Sequence, residues 1–268
     1  MRRGNTSARS RKMFLVLPGL LLCVLSGLAS TPTAEAAAPK QVLILGDSLV
    51  GGSSNYINFY LAHDGKVQTT IKAVGGTAIC DVLPGNGGPW TINGLLAAKR
   101  YDAVVIAYSG NALTKCTGYR KGQALVDKYK ADAHAAMKTS RQYGSPQVVW
   151  VKPPAAAAAE LNSVRAGLGT AFASLPAAYP NARVIDGGNG ISPGGKFYLS
   201  LPCDAWESTA AHGCVKGWIR VGDADGVHFY CSKRGTAYYG IVLPCDTYSS
   251  GSNRYGMNLG ATRTFIGL

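Results

Sequence analysis

Five short apolar runs punctuate the chain, at residues 40–47 (KQVLILGD), 67–74, 102–108 (DAVVIAY), 147–152 (QVVWVK) and 182–185. They are continuous rather than alternating and rich in β-branched residues, and the fourth is stopped by Pro153-Pro154. That is the pattern of strands covered on both faces. Helical periodicity fills the gaps. Within 155–176, Leu161, Val164, Leu168, Phe172 and Leu175 form a stripe at helical spacing, and within 119–142 Leu125, Tyr129, Ala133 and Met137 stand one turn apart. Strands alternating with helices predict right-handed crossovers and a parallel sheet, hence an α/β fold with three α/β/α layers. The last eighty or so residues, rich in Gly, Ser, Tyr and Cys, lose this rhythm. They are expected to form long disulfide-stapled loops and a final helix near 250–265, within a single domain that no linker divides.

The N-terminus has a different pattern. Arg2, Arg3, Arg9, Arg11 and Lys12 precede an apolar run from Met13 to about Ala29, and Ala34-Glu35-Ala36 follows. A basic head, an apolar middle and an Ala-x-Ala end predict a secretory signal peptide over residues 1–36, with 37–268 as the mature domain. An uncleaved anchor is the competitor, because the run approaches the ~20 residues of a spanning helix. The protein is expected to be exported.

Composition narrows the class. Hydrophobic residues make up 47% of the 268 and charged residues 15%, which excludes a disordered polar chain. The 34 glycines lack a triplet period, so collagen is excluded as well. The full chain carries +13; without residues 1–36 it loses five bases and one acid, leaving +9. Such a charge attracts anionic cell-envelope surfaces or serves solubility alone, and no motif supports nucleic-acid binding. Seven cysteines become six when Cys23 leaves with the signal. An even count in an exported chain predicts three disulfides, and spacing favours neighbours: Cys80–Cys116, Cys203–Cys214 and Cys231–Cys245. A zinc site at Cys203, His212 and Cys214 is the weaker reading, since no paired C-x-x-C supports it.

Ligands of open parallel sheets bind beyond the carboxyl ends of the strands. Gly46-Asp47-Ser48-Leu49 follows the first apolar run, Gly75-Gly76-Thr77 the second and Ser109-Gly110-Asn111 the third; Asp225-Gly226-Val227-His228 comes far downstream. Nucleophilic acyl chemistry needs a hydroxyl, a base for its proton and a group that fixes the base's tautomer. Ser48, His228 and Asp225 supply these in turn. The Ser48 and Gly75 (or Gly76) N–H groups and the Asn111 side-chain amide supply an oxyanion hole. Taken singly, each piece has a plainer explanation as a turn, a cap or a buried histidine. Their order and strand-end placement fit one site.

These residues resemble the SGNH (GDSL) hydrolases: GDSL at 46–49, the glycine of the second block, Asn111, and D-x-x-H at 225–228. The resemblance spans residues 40 to about 265. It implies a flavodoxin-like sheet, ester hydrolysis through an acyl-enzyme, no metal and no cofactor. By position, it makes Ser48 the nucleophile and first oxyanion donor, Gly75 or Gly76 and Asn111 the other donors, His228 the base and Asp225 its partner. Two departures stand out. The third block is usually Gly-x-Asn-Asp, whereas Ser109 and Ala112 stand here for the Gly and the Asp. The loop carrying Asn111 must then be held differently, and a Cys80–Cys116 bridge is the expected device. The Cys-rich segment after His228 is the second. No Gly-x-Ser-x-Gly occurs, which argues against the α/β-hydrolase elbow.

The expected function is a secreted, monomeric serine esterase or lipase acting on small-molecule or glycan-linked esters. An acyltransferase on envelope glycans using the same site, and a silent glycan-binding module, are the alternatives. Phe197, Tyr198, Leu199, Leu201, Trp206 and Trp218 are expected to pack around the disulfides rather than to line a substrate pocket. His63, His134 and His212 carry no argued role.

Overall fold

The computed structural model describes residues 37–86, 90–144, 146–231 and 248–268. The expected signal peptide, Cys23 and Cys245 lie outside the described residues. Residues 38–268 form one compact unit. Its chain runs β1 (Lys40–Gly46), α1 (Ser48–Ala62), β2 (Val67–Ala73), α2 (Ile92–Ala98), β3 (Ala103–Ala107) and α3 (Gly122–Gln142). It continues through β4 (Gln147–Lys152), α4 (Ala159–Ala173), α5 (Leu175–Ala178), β5 (Ala182–Asp186), β6 (Ser200–Pro202), β7 (Trp218–Arg220), α6 (Ser250–Gly260) and α7 (Thr262–Phe265).

The five apolar runs become five parallel strands in the order β2-β1-β3-β4-β5, the flavodoxin-like order. Successive strand side chains point to opposite faces, and both faces are covered. Leu43, Leu45, Val104, Ile106, Val148 and Trp150 pack against Leu96 of α2, Leu125, Tyr129 and Met137 of α3, and Val164, Leu168 and Phe172 of α4. Val42, Ile44, Val105, Val149 and Val151 pack on the other face against Leu49, Val50, Ile57 and Leu61 of α1, and Tyr255 and Leu259 of α6. Burial on both sides is why these strands read as unbroken apolar runs.

The differences from expectation lie at element ends and in short elements. The predicted helix at 119–142 starts at Gly122, because Gly118, Tyr119 and Gly122 hold left-handed φ values of 62°, 53° and 52°. The helix at 155–176 starts only at Ala159 and divides into α4 and α5. The final helix divides likewise at Ala261. Helix α2, capped by the Thr91 hydroxyl, and the antiparallel β6–β7 ribbon were not expected. In the C-terminal loops Leu201, Ile219 and Val221 form a small cluster against Cys203 and Tyr248, whereas Leu199, Trp206 and Trp218 remain about half exposed. Only part of the apolar set at 197–218 therefore packs inward. Buried Glu207 binds Arg254 of α6, which fastens these loops to the sheet's helical cover.

Cys80–Cys116 and Cys203–Cys214 are bridged as expected. The second bridge uses up the thiols of the alternative zinc site. Cys231 is also disulfide-bonded.

Gly46 closes β1 against its neighbour. A Cβ there would lie 2.2 Å from Val50 Cγ2 and 2.7 Å from the Ala107 carbonyl oxygen. Gly46→Ala is expected to destabilise the protein by about 1–3 kcal/mol, the usual cost of overpacking. A urea midpoint equal to that of the wild type would contradict this reading.

Candidate active site

The strand order reverses between β1 and β3, and the crevice at such a switch point is where a doubly wound sheet accepts ligands. Ser48 is the first residue of α1, directly after β1, and Asn111 follows β3 on the adjacent loop. Asp47 caps α1, accepting the Leu49 N–H at 3.0 Å.

The segment 223–228 folds back over this crevice. His228 Nε2 lies 2.8 Å from Ser48 Oγ, and His228 Nδ1 lies 2.6 Å from Asp225 Oδ2. Asp225 Oδ1 accepts the Val227 and His228 N–H groups, both at 2.9 Å. Burial pushes the Asp225 carboxyl up, but the His228 and Val227 hydrogen bonds outweigh it and hold the group down at about 2. Asp225 is thus an anion throughout the working range, which places the ring hydrogen on Nδ1 and leaves Nε2 to accept from the Ser48 hydroxyl. Gly226 makes the tight fold possible. Its φ is +71° and an added Cβ would stand 2.5 Å from Ala157 Cβ, while its carbonyl accepts the Ala157 N–H at 2.8 Å.

Three further donors surround Ser48. Its own N–H belongs to the first turn of α1 and has no intrahelical acceptor. Gly75 and Gly76 both line the pocket beside Ser48, and their N–H groups have no acceptor among the described residues. Either glycine can therefore donate. Asn111 Nδ2 also borders the pocket, but it donates to Asp47 Oδ2 at 3.0 Å and to the Thr77 carbonyl at 3.1 Å. An incoming oxyanion must compete with the Thr77 carbonyl for one of these hydrogens, and a full negative charge is the stronger acceptor.

The Asn111 loop is held by a network that sequence reasoning missed. Asp47, fully buried, takes the Ser109 N–H at 2.7 Å and the Ser109 hydroxyl at 2.6 Å on Oδ2. Arg165 of α4, 2% exposed, donates from Nε to the Ser109 carbonyl at 3.0 Å and from Nη1 to the Pro154 and Ala155 carbonyls. Burial lowers the Arg165 pKa, and the nearby Asp47 charge opposes that effect. The Tyr129 hydroxyl donates to the Asn111 carbonyl at 2.9 Å. The Cys80–Cys116 bridge joins the loops after β2 and β3 as expected, yet the direct grip on Ser109 and Asn111 is polar. Ser109 is thus an integral part of the loop: its hydroxyl makes a bond that a glycine cannot make.

A cavity of about 580 Å³ opens at Ser48 and His228. The six apolar residues at 197–218 contribute nothing to it; its walls come from 110–125 and α4. The other histidines have local partners: His63 the Phe59 carbonyl, His134 the Tyr179 hydroxyl, and His212 the Trp206 carbonyl. Among the described residues the single grouping of metal-ligating atoms is Cys80, Asp81 and Cys116, whose two sulfurs are joined in the disulfide.

No protein-family model and no curated protein sequence matches the chain. Solved structures do. A carbohydrate esterase family 3 structure from Talaromyces cellulolyticus superposes with a TM-score of 0.51 at 13% identity, covering 85% of this chain and 98% of that one. The C-terminal catalytic domain of Streptococcus pneumoniae peptidoglycan O-acetyltransferase A gives 0.48 at 14% identity over 86% and 96%. A putative lipolytic protein of the G-D-S-L family from Desulfitobacterium hafniense gives 0.48 at 13% identity over 84% and 98%. At such identities the likeness speaks to architecture alone, and this chain shares its fold with the Talaromyces cellulolyticus carbohydrate esterase structure.

Proposed function

We propose that the protein is a serine hydrolase of the SGNH type that cleaves carboxylic esters through an acyl-enzyme. The observation that carries this is the unbroken chain from Ser48 Oγ to His228 Nε2 at 2.8 Å and from His228 Nδ1 to Asp225 Oδ2 at 2.6 Å. His228 takes the Ser48 proton as the oxygen attacks the ester carbon. The carbonyl oxygen becomes an anion, received by the Ser48 N–H, the Gly75 or Gly76 N–H and the Asn111 amide. Collapse breaks the ester C–O bond, and His228 returns its proton to the departing alcohol. Water, deprotonated by the same imidazole, then releases the acid and restores Ser48. No step asks for a metal or cofactor.

The imidazole edge is partly open, with the His228 and Asp225 side chains 26% and 43% exposed, so water can reach the acyl-enzyme. The Cys80–Cys116 and Cys203–Cys214 bridges favour an oxidising compartment, in keeping with export directed by residues 1–36.

The test is hydrolysis of p-nitrophenyl esters by the purified protein, with the oxyanion donor as the internal control. Asn111→Ala is expected to lower kcat by about 10²–10³, the effect of one such donor. An unchanged kcat would remove Asn111 from the oxyanion hole.

A further inference from the structure

The cavity beside Ser48 has a chemistry of its own. Its lining includes the buried or half-buried Ala112, Leu125, Leu161, Val164 and Val227, while Leu113 and the charged side chains Arg120, Lys121 and Glu160 border it from exposed positions. Its volume of about 580 Å³ lies within the ~300–1,000 Å³ typical of pockets that enclose small ligands. The methyl of an acetyl ester would occupy a small corner of it.

We infer that this cavity receives the acyl chain of the substrate, and that the protein prefers unbranched acyl groups longer than butanoyl to acetyl. This rests on the serine-hydrolase reading above and adds the substrate class. Three observations carry it. First, the apolar wall continues directly from the oxyanion side, since Gly110 and Asn111 line the same cavity as Ser48. Second, the acyl group stays bonded to Ser48 after the alcohol has gone, so the apolar lining beside Ser48 is within its reach through both halves of the reaction. The alcohol needs the open route past the partly exposed His228–Asp225 edge. Third, Ala112, beside Asn111, contributes a methyl and no charge to the same lining. Leu161 and Val164 come from α4 and back onto Gly110, where an added Cβ would meet Val164 Cγ1 at 3.1 Å and Leu161 Cδ1 at 3.8 Å. The chain-binding wall and the loop that carries Asn111 are therefore packed together.

A larger cleft of about 620 Å³ lies at the β4–β5 end and is lined by polar residues such as Lys152, Asn162 and Asp186. Ser48 and His228 are absent from its lining, so it does not compete for the chain.

The experiment is a kcat/KM series on p-nitrophenyl esters from acetyl to dodecanoyl, with the wild type, Leu161→Trp and Ala112→Asp. Leu161 is half-buried, so tryptophan fills the cavity without breaking the core. Ala112→Asp is a second, small change that introduces charge. For the wild type, kcat/KM is expected to rise by up to about fourfold per added methylene before levelling off beyond butanoyl. Both variants are expected to lower the octanoyl-to-acetyl ratio of kcat/KM by at least about tenfold. Ser48-dependent hydrolysis that is best on acetyl, or a ratio that neither variant moves, overturns the acyl pocket and leaves the serine hydrolase standing. A length preference found in alkyl acetates of varied alcohol instead of in the acyl series also overturns it. No hydrolysis at any length overturns both.

Discussion

Ser48→Ala is expected to reduce ester hydrolysis to the background rate, a loss of about 10⁵–10⁶ in kcat, with the fold intact. The size follows from what the hydroxyl does. In the proposed reaction it is the atom that bonds to the acyl carbon, and without it the oxyanion donors and the pocket can bind an ester but cannot exchange its alcohol for an enzyme oxygen. Residues acting as one unit are strongly non-additive, so His228→Ala is expected to fall to a similar level and the double variant little further. The side chain of Ser48 is small and lies at the pocket surface at the start of α1, where Asp47 keeps the cap. The thermal midpoint of Ser48→Ala should therefore remain close to that of the wild type. Retention of wild-type turnover by this variant would end the assignment.

The second large effect belongs to Asp225. Its carboxylate holds the His228 ring by Oδ2 and the backbone of the same turn by Oδ1. Asp225→Asn keeps the size of the side chain, but its amide must present either a donor to Nδ1 or an oxygen without charge. The ring is then drawn toward the tautomer with the hydrogen on Nε2, facing Ser48, where it cannot accept the proton. A loss of about 10⁴ in kcat is expected, as for the corresponding change in other triads. The carboxylate also contributes to stability in a defined pH window. The folded Asp225 stays ionised down to about 2, below the usual carboxylate range, so the stability it supplies is fully present above that range, declines as pH falls below it and is gone once pH has fallen through about 2. A kcat for Asp225→Asn within a fewfold of wild type would mean that Asp225 does not orient the base.

Much of this molecule is legible in its sequence because its local signals agree with its layers. The strand runs read clearly since parallel strands covered on both faces must be apolar at every position, as in β1, β3 and β4. The Cys203–Cys214 pair reads clearly because its partners are 11 residues apart in one loop segment, whereas Cys80 and Cys116 meet because their loops follow β2 and β3, the strands on either side of β1. D-G-V-H reads as a histidine with its partner because a single left-handed glycine, Gly226, returns the chain on itself. The rest depends on contacts between distant residues. Arg165 looks like a solvated charge on α4, yet it lies on the buried side and gathers carbonyls from two strand-end loops. The substitution at Ser109 points to some substitute grip, and the expected disulfide is present, but the bonds from Ser109 to Asp47 are visible only with the two loops side by side. The pocket was hidden for the same reason. Leu113, Leu125 and Leu161 each have an ordinary place in their own segment, and only the crossing of α3 and α4 beside β3 gathers them into one wall.

In the proposed mechanism the buried polar network has a functional consequence. Asp47 sits between the nucleophile and the oxyanion loop, capping the helix that begins at Ser48 while it accepts from Ser109 and Asn111. The position of the attacking oxygen and that of the Asn111 amide are thereby fixed by one side chain. Such positioning limits what must change at Asn111 during the reaction to the exchange of its hydrogen bond with the Thr77 carbonyl.

The most direct measurement is covalent labelling. A fluorophosphonate reagent loses fluoride to an activated serine oxygen and leaves a stable phosphonyl ester, which peptide mass spectrometry locates. One adduct per chain, on Ser48, and none in the His228→Ala protein is the result predicted here. An adduct on another residue, or an unlabelled Ser48 in a protein that turns over esters, would contradict the account.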